Sequence, residues 1–155
     1  MTAAPDHARV MAPPPLMVIA AILLGLGLRL HWPMLLCPWG GGWIPASGCM
    51  AAAVILAGTT VRRIWRARTT VLPHRPTTTL VTSGPFRLSR NPIYLAMGLL
   101  LVGVAFAVNS VALLVMIAPW AVAMRYGVIA REERYLEGKF GEDYRAYCRR
   151  VRRWL

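Results

Sequence analysis

Between Arg90 and Arg125 the chain carries no charged side chain, and Ile93 to Met124 alone is 32 residues long. As one helix that run would extend ~48 Å, against a hydrocarbon core of ~30 Å. Asn109-Ser110 sits at its middle, and a turn there divides it into two membrane spans, 92–108 and 110–126. Each half is short, which limits tilt and lets Arg125 snorkel to the interface. Two apolar runs precede it. The first, 14–32, is apolar from Leu16 to Leu30 except for Arg29 and contains Gly25 and Gly27; the second, 44–61, stops at Arg62-Arg63. Pro33 to Gly42 separates them with two prolines and three consecutive glycines, a helix break. Trp32, Trp39 and Trp43 suit a membrane–water interface. The expected fold class is therefore an all-α integral membrane protein with about four transmembrane helices.

Composition agrees: 57% of the 155 residues are hydrophobic and only 15% charged. Disordered chains are poor in apolar residues, and a soluble domain of this length could not hide so much apolar surface. Residues 1–13, rich in Pro and Ala, read as a flexible N-terminus, and 14–155 as a single membrane domain. A signal peptide is disfavoured, because Arg29, His31 and Trp32 stand where small cleavage-site residues belong. A re-entrant hairpin for the first run is the alternative to a full span.

The formal charge is +12, from 18 basic and 6 acidic residues. Sixteen of the basic residues fall into two groups: Arg62 to Arg90 and Arg125 to Arg153. Both flank apolar runs, so a nucleic-acid role is not expected; the pattern is the positive-inside one. Four spans then put a loop at 62–91, a tail at 127–155 and both termini on the cytoplasmic side, in a bacterial inner membrane. Apart from Asp6, every acid lies between Glu132 and Asp143. No predicted span contains an acid, which disfavours a proton- or ion-coupled transporter. A non-catalytic membrane subunit would leave the long loop unexplained. Cys37, Cys49 and Cys148 offer neither disulfide nor zinc spacing, and no metal site is expected.

The loop is the most unusual stretch. Pro73 to Tyr94 reads PHRPTTTLVTSGPFRLSRNPIY, far more than a connector needs. Asn91-Pro92 reads as an N-cap with proline in the first turn of the third span, which would present free N–H groups to a polar ligand. His74 reads as a loop histidine. In the tail, Tyr135, Leu136, Phe140, Tyr144, Tyr147 and Val151 recur at helical spacing. Gly138 and Gly141 interrupt the pattern, so a broken cytoplasmic helix is expected.

Leu80-Val81-Thr82-Ser83-Gly84-Pro85-Phe86-Arg87, followed by Arg90-Asn91-Pro92-Ile93-Tyr94, resembles the isoprenylcysteine carboxyl methyltransferase family, which is related to the membrane phospholipid methyltransferases. Glu132-Glu133, then Phe140-Gly141-Glu142-Asp143-Tyr144 and Tyr147, resembles its second motif. The resemblance covers residues 77–151 and implies an S-adenosylmethionine-dependent methyltransferase that releases S-adenosylhomocysteine. The acceptor it implies is amphipathic or lipophilic, met among membrane lipids: an isoprenylcysteine-like carboxylate first, a phospholipid as the alternative. It implies cofactor contacts from Thr78, Thr79, Leu80, Val81, Gly84, Phe86, Asn91, Pro92, Ile93, Tyr94 and Glu132. It implies catalytic roles for Arg90, Asn91, Tyr94 and Glu133. Asn91 stands where the family has His, and Asn cannot titrate near neutral pH. Ala96 replaces a common Gly, and the additional N-terminal spans of the eukaryotic enzymes are absent from this sequence.

The chemistry of the cofactor fits these residues independently. Its ammonium needs a carboxylate, which Glu132 or Glu133 can supply. Its own carboxylate needs Arg or helix N–H groups, with Arg87, Arg90, Arg125 and Arg131 available. Its adenine needs an apolar slot with backbone hydrogen bonds, which Leu80, Val81 and Phe86 can provide. In-line methyl transfer rests largely on positioning.

Overall fold

A computed structural model of the chain describes residues 11–68 and 78–155. Six α-helices run in order: α1 Pro14–His31, α2 Trp43–Arg66, α3 Pro92–Ala107, α4 Val111–Val115, α5 Ile117–Met124 and α6 Ala130–Arg150. A 3-10 turn, Gly84–Arg87, precedes α3, and a π-helical turn, Arg125–Ile129, joins α5 to α6. The protein is an all-α membrane protein. Three helical segments are long and apolar enough to cross a bilayer, and the shorter α3 is apolar throughout. Leu23, Leu24, Val54 and Ile55 lie exposed on the bundle's outside, where lipid tails are their solvent.

Local chemistry sets the helix ends. Pro14 and Pro92 occupy first-turn positions, where a missing N–H costs nothing. At the turn after α3, Asn109 adopts a φ of 50°, a left-handed conformation that Asn tolerates better than most residues. Its amide clips the α1–α2 connection from both sides: Cys37 N–H donates to Oδ1 (2.8 Å) and Nδ2 donates to the Cys37 carbonyl (3.0 Å). Ser110, fully buried, then caps α4 by accepting the Leu113 N–H (3.4 Å).

Small residues let the helices approach. A Cβ on Gly25 of α1 would stand 2.9 Å from the Leu113 Cα, and one on Gly103 of α3 would stand 2.9 Å from Met50 of α2. The core between α1, α3 and α5 gathers Val18, Ala21, Leu101, Trp120 and Met124, with Tyr94 at its rim and Val128 and Ile129 below. The Met11 N–H donates to the Gly127 carbonyl (3.1 Å), so the start of α1 meets the end of the last span. The end of α2, the 3-10 turn and α6 gather at that same end, and the Asn109 turn lies at the other.

The second span is expected over 44–61; the helix that contains it, α2, runs on to Arg66. Arginine does not interrupt a helix whose backbone bonds close internally; its long stem carries the charge out to water. The expected broken helix of the tail is α6, Ala130–Arg150. Gly141 breaks α6, at φ 53° and ψ −121°, while Gly138 stays helical. The tail does not hang free: Trp154 packs against the core cluster. Residues 1–10, His74 and the Pro73–Thr77 part of the loop lie outside the described residues.

Candidate functional site

The first motif forms a tight path. Gly84 takes a φ of 65° against the side chain of Arg63, where a Cβ would come within 3.0 Å of Nε. That places the 3-10 turn on the end of α2. Ser89 then folds back, and its Oγ accepts the Asn91 N–H (3.1 Å). Asn91 holds the N-cap position of α3, yet its side chain makes no capping bond. Instead Nδ2 donates to the carbonyl of Arg153 (2.9 Å). Pro92 follows, and one residue later than Ile93, Tyr94 turns its ring into the core.

The hairpin of α3 with α4 and α5 returns the chain to this end, where α6 begins. There the Tyr94 hydroxyl donates to Glu132 Oε1 at 2.6 Å. Glu132 is partly buried, with its carboxyl crowded by protein. Desolvation raises its pKa from 4.5 to about 7; the Tyr94 hydrogen bond opposes the rise and the Glu133 charge adds to it. Among the described residues no cation pairs with Glu132.

Glu133 lies one residue on and is fully engaged. The Arg153 guanidinium grips it with two bonds, Nε to Oε1 (2.9 Å) and Nη2 to Oε2 (2.7 Å). Arg90 Nη1 lies 3.2 Å from Oε1 and also donates to Cys148 Sγ (2.8 Å). The Arg90 Nε is buried with no hydrogen-bond partner among the described residues. The Tyr147 hydroxyl donates to the Phe86 carbonyl (2.7 Å). Burial raises the Tyr144 and Tyr147 pKa values well above the ordinary phenol range.

The structure thus brings Phe86, Arg90, Asn91, Tyr94, Glu132 and Glu133 to one end, between α3 and α6. Ile93 packs against the core cluster. Leu80 and Val81 are half-buried beside the turn. Thr78 and Thr79 stand apart and exposed, Thr78 Oγ1 donating to the Arg68 carbonyl (3.2 Å). Sequence reasoning missed Ser89, Cys148 and Arg153. Ser89 and Asn91 meet Arg153 at its main-chain carbonyl, which leaves no side-chain pattern; the apolar Trp154 beyond the helix end was the available signal for a docked tail.

Residues 43–143, from the start of α2 into α6, match the family model described as phospholipid methyltransferase. The chain belongs to the phospholipid methyltransferase family. Similar family-sized stretches occur in two curated proteins over 113 residues, 73% of this chain. One is the cobalt-zinc-cadmium resistance protein CzcN of Cupriavidus metallidurans, 32% identical over 51% of its length. The other is the nickel-cobalt-cadmium resistance protein NccN of Alcaligenes xylosoxydans, 30% identical over 52% of its length. The chain spans about half the length of these curated relatives. An uncharacterised Haemophilus influenzae protein is 70% identical over 27 residues, 17% of this chain and 43% of its own. No solved structure matches. The phospholipid methyltransferase match covers both glutamates and Tyr94 but stops short of Tyr144, Tyr147 and Arg153.

Proposed function

We propose that this chain is a membrane-embedded methyltransferase that uses S-adenosylmethionine to methylate a lipophilic acceptor. The observation that carries the reading is the Tyr94–Glu132 contact, which joins the two sequence motifs around a carboxylate without a cationic partner. Such a group suits the ammonium of an S-adenosyl ligand. Arg87, exposed at the end of the 3-10 turn, and the first-turn N–H groups of α3 suit the ligand's carboxylate. Leu80, Val81 and Phe86 suit its adenine. When bound, the cofactor supplies an activated methyl group.

The residues of this chain then have positioning work. Glu132 draws the cationic end toward α6, and the Tyr94 hydroxyl holds the Glu132 carboxylate in one orientation. Asn91 takes no proton: its amide is bound to the Arg153 carbonyl. With Glu132 engaged by the ammonium and Glu133 by two arginines, neither glutamate beside Tyr94 is left to act as a general base. That favours an acceptor already nucleophilic at neutral pH, such as the carboxylate of an isoprenylcysteine-like compound. A phospholipid acceptor is the second reading, favoured by the family match. Either acceptor approaches from the bilayer, since its tail prefers lipid by ~0.8 kcal/mol per CH₂. The site then faces the cytoplasm of an inner membrane, with both termini on that side.

Calorimetry of the detergent-solubilised protein with S-adenosylmethionine and S-adenosylhomocysteine tests the reading. Binding in the micromolar range is expected; no heat at millimolar ligand overturns it. Methyl transfer from labelled cofactor to farnesylcysteine or to phospholipid vesicles then separates the two acceptors.

A further inference from the structure

The geometry points to Arg153 as a positioning residue: its side chain neutralises Glu133 while its main-chain carbonyl pins Ser89 and Asn91, leaving Glu132, of the two adjacent glutamates, available to a cationic ligand. The inference rests on the S-adenosylmethionine reading and deepens it.

Four contacts converge on residues 152 and 153. The Arg153 carbonyl accepts from Asn91 Nδ2 (2.9 Å) and from Ser89 Oγ (3.2 Å). The Arg152 carbonyl accepts the Arg90 N–H (2.9 Å). The Arg153 guanidinium chelates Glu133 in the two-point geometry that arginine makes and lysine cannot. Beyond them Trp154 anchors the segment in the core that also holds Tyr94. The first motif and the start of α6 are separated by the whole α3–α5 hairpin, and residues 152–154 bridge them a second time.

The charge consequence follows from adjacency. Glu132 and Glu133 are neighbours on α6, and the Glu133 charge disfavours ionisation of Glu132. Two arginines on Glu133, Arg90 from the α3 side and Arg153 from the tail, absorb that charge. Freed of Arg153, Glu133 would raise the cost of ionising Glu132 and compete for the ligand's ammonium. The pinned Asn91 has a second effect. It fixes the register of the first turn of α3, and Tyr94 with it, relative to Glu132. At this position Asn serves through its N–H₂ donor.

The test uses the full chain in detergent, with S-adenosylmethionine as the calorimetric probe and circular dichroism confirming that each variant is folded at the working temperature. Arg153→Met should weaken binding at least tenfold at pH 7. It should also move the pH midpoint of binding upward, a shift that loss of stability alone would not produce. Arg153→Lys should restore the midpoint but only part of the affinity, since it keeps the charge and loses the second bond. Glu142→Gln, on the exposed far part of α6, should bind as wild type. Wild-type affinity and midpoint in Arg153→Met, with wild type binding the probe, overturn this inference alone. No binding by wild type overturns it together with the function it rests on.

Discussion

At Glu132, burial and the proposed function pull against each other. Its pKa in the fold stands near 7, raised from 4.5 chiefly by desolvation. Between those values the folded state binds more protons than the unfolded chain. The stabilising contribution is therefore complete below about pH 4.5 and is lost as pH rises through 7. Glu132→Gln mimics the protonated form, so it should raise the thermal midpoint at pH 8 and leave it nearly unchanged at pH 5. The linkage ceiling is about 3 kcal/mol, and partial exposure reduces the expectation to about 1–2 kcal/mol. A midpoint lowered at pH 8 would mean that the protein stabilises the ionised form. The same substitution should harm binding. Losing the charge partner of an ammonium costs roughly 1.5–3 kcal/mol, about a 10- to 150-fold weaker affinity for S-adenosylmethionine by calorimetry. Wild-type affinity should climb from pH 6 to pH 8 as the carboxylate ionises, and that climb should vanish in Glu132→Gln. Tyr94 and Glu132 were legible in the sequence because each sits in a motif of recognisable spacing. Which glutamate stands free was not legible, since it depends on where Arg153 reaches.

Among the elements, the helices were legible where apolar runs meet an abrupt stop. Asn109-Ser110 marked the turn between α3 and α4, and Gly141 marked the break in α6. The π-helical turn at Arg125–Ile129 left no mark, because its residues suit an ordinary helix and only the packing of Val128 and Ile129 decides their rotation. The run-on of α2 to Arg66 was hidden for the opposite reason: arginine signals a membrane boundary, and a helix can pass through one. Helix contacts were only half legible, since the sequence offers many glycines and does not say which of them touch. Gly25 and Gly27 of α1 make the contrast. A Cβ on Gly25 would stand 2.9 Å from the Leu113 backbone, whereas one on Gly27 meets nothing within 4 Å. Gly25→Ala should therefore force α1 off α4 and destabilise by about 1–3 kcal/mol. Gly27→Ala should be neutral or stabilising by up to ~1 kcal/mol, from helix propensity. Thermal unfolding of the two variants in one detergent checks this, and equal effects would mean that α1 does not pack on Leu113.

Across the whole molecule, charge and fold agree on a direction. The start of α1, the end of α2, the 3-10 turn and α6 share one end of the bundle; ten of the 18 basic residues belong to those elements, and Arg68, Arg90, Arg125, Arg152 and Arg153 adjoin them. The opposite end carries Trp32, Trp39 and Trp43 with the Asn109–Cys37 clip, and the described residues there bear no acid. A membrane with the usual bias toward cytoplasmic Lys and Arg would hold the first end inside. The proposed site has the same requirement, because S-adenosylmethionine, the methyl donor proposed for it, is a polar, charged molecule that cannot cross to the far face unaided. A reporter fused after Leu155 should therefore be active only as a cytoplasmic probe. One inserted near Gly41, in the loop between α1 and α2, should be active only outside. Both glycines at 40 and 41 have positive φ and open space around them, so the insertion point tolerates a fusion. If the two reporters agree, an odd number of spans separates the fold from this arrangement. If they disagree in the reverse sense, the motifs face away from the cofactor pool, and a cytoplasmic methyl donor could not reach Glu132.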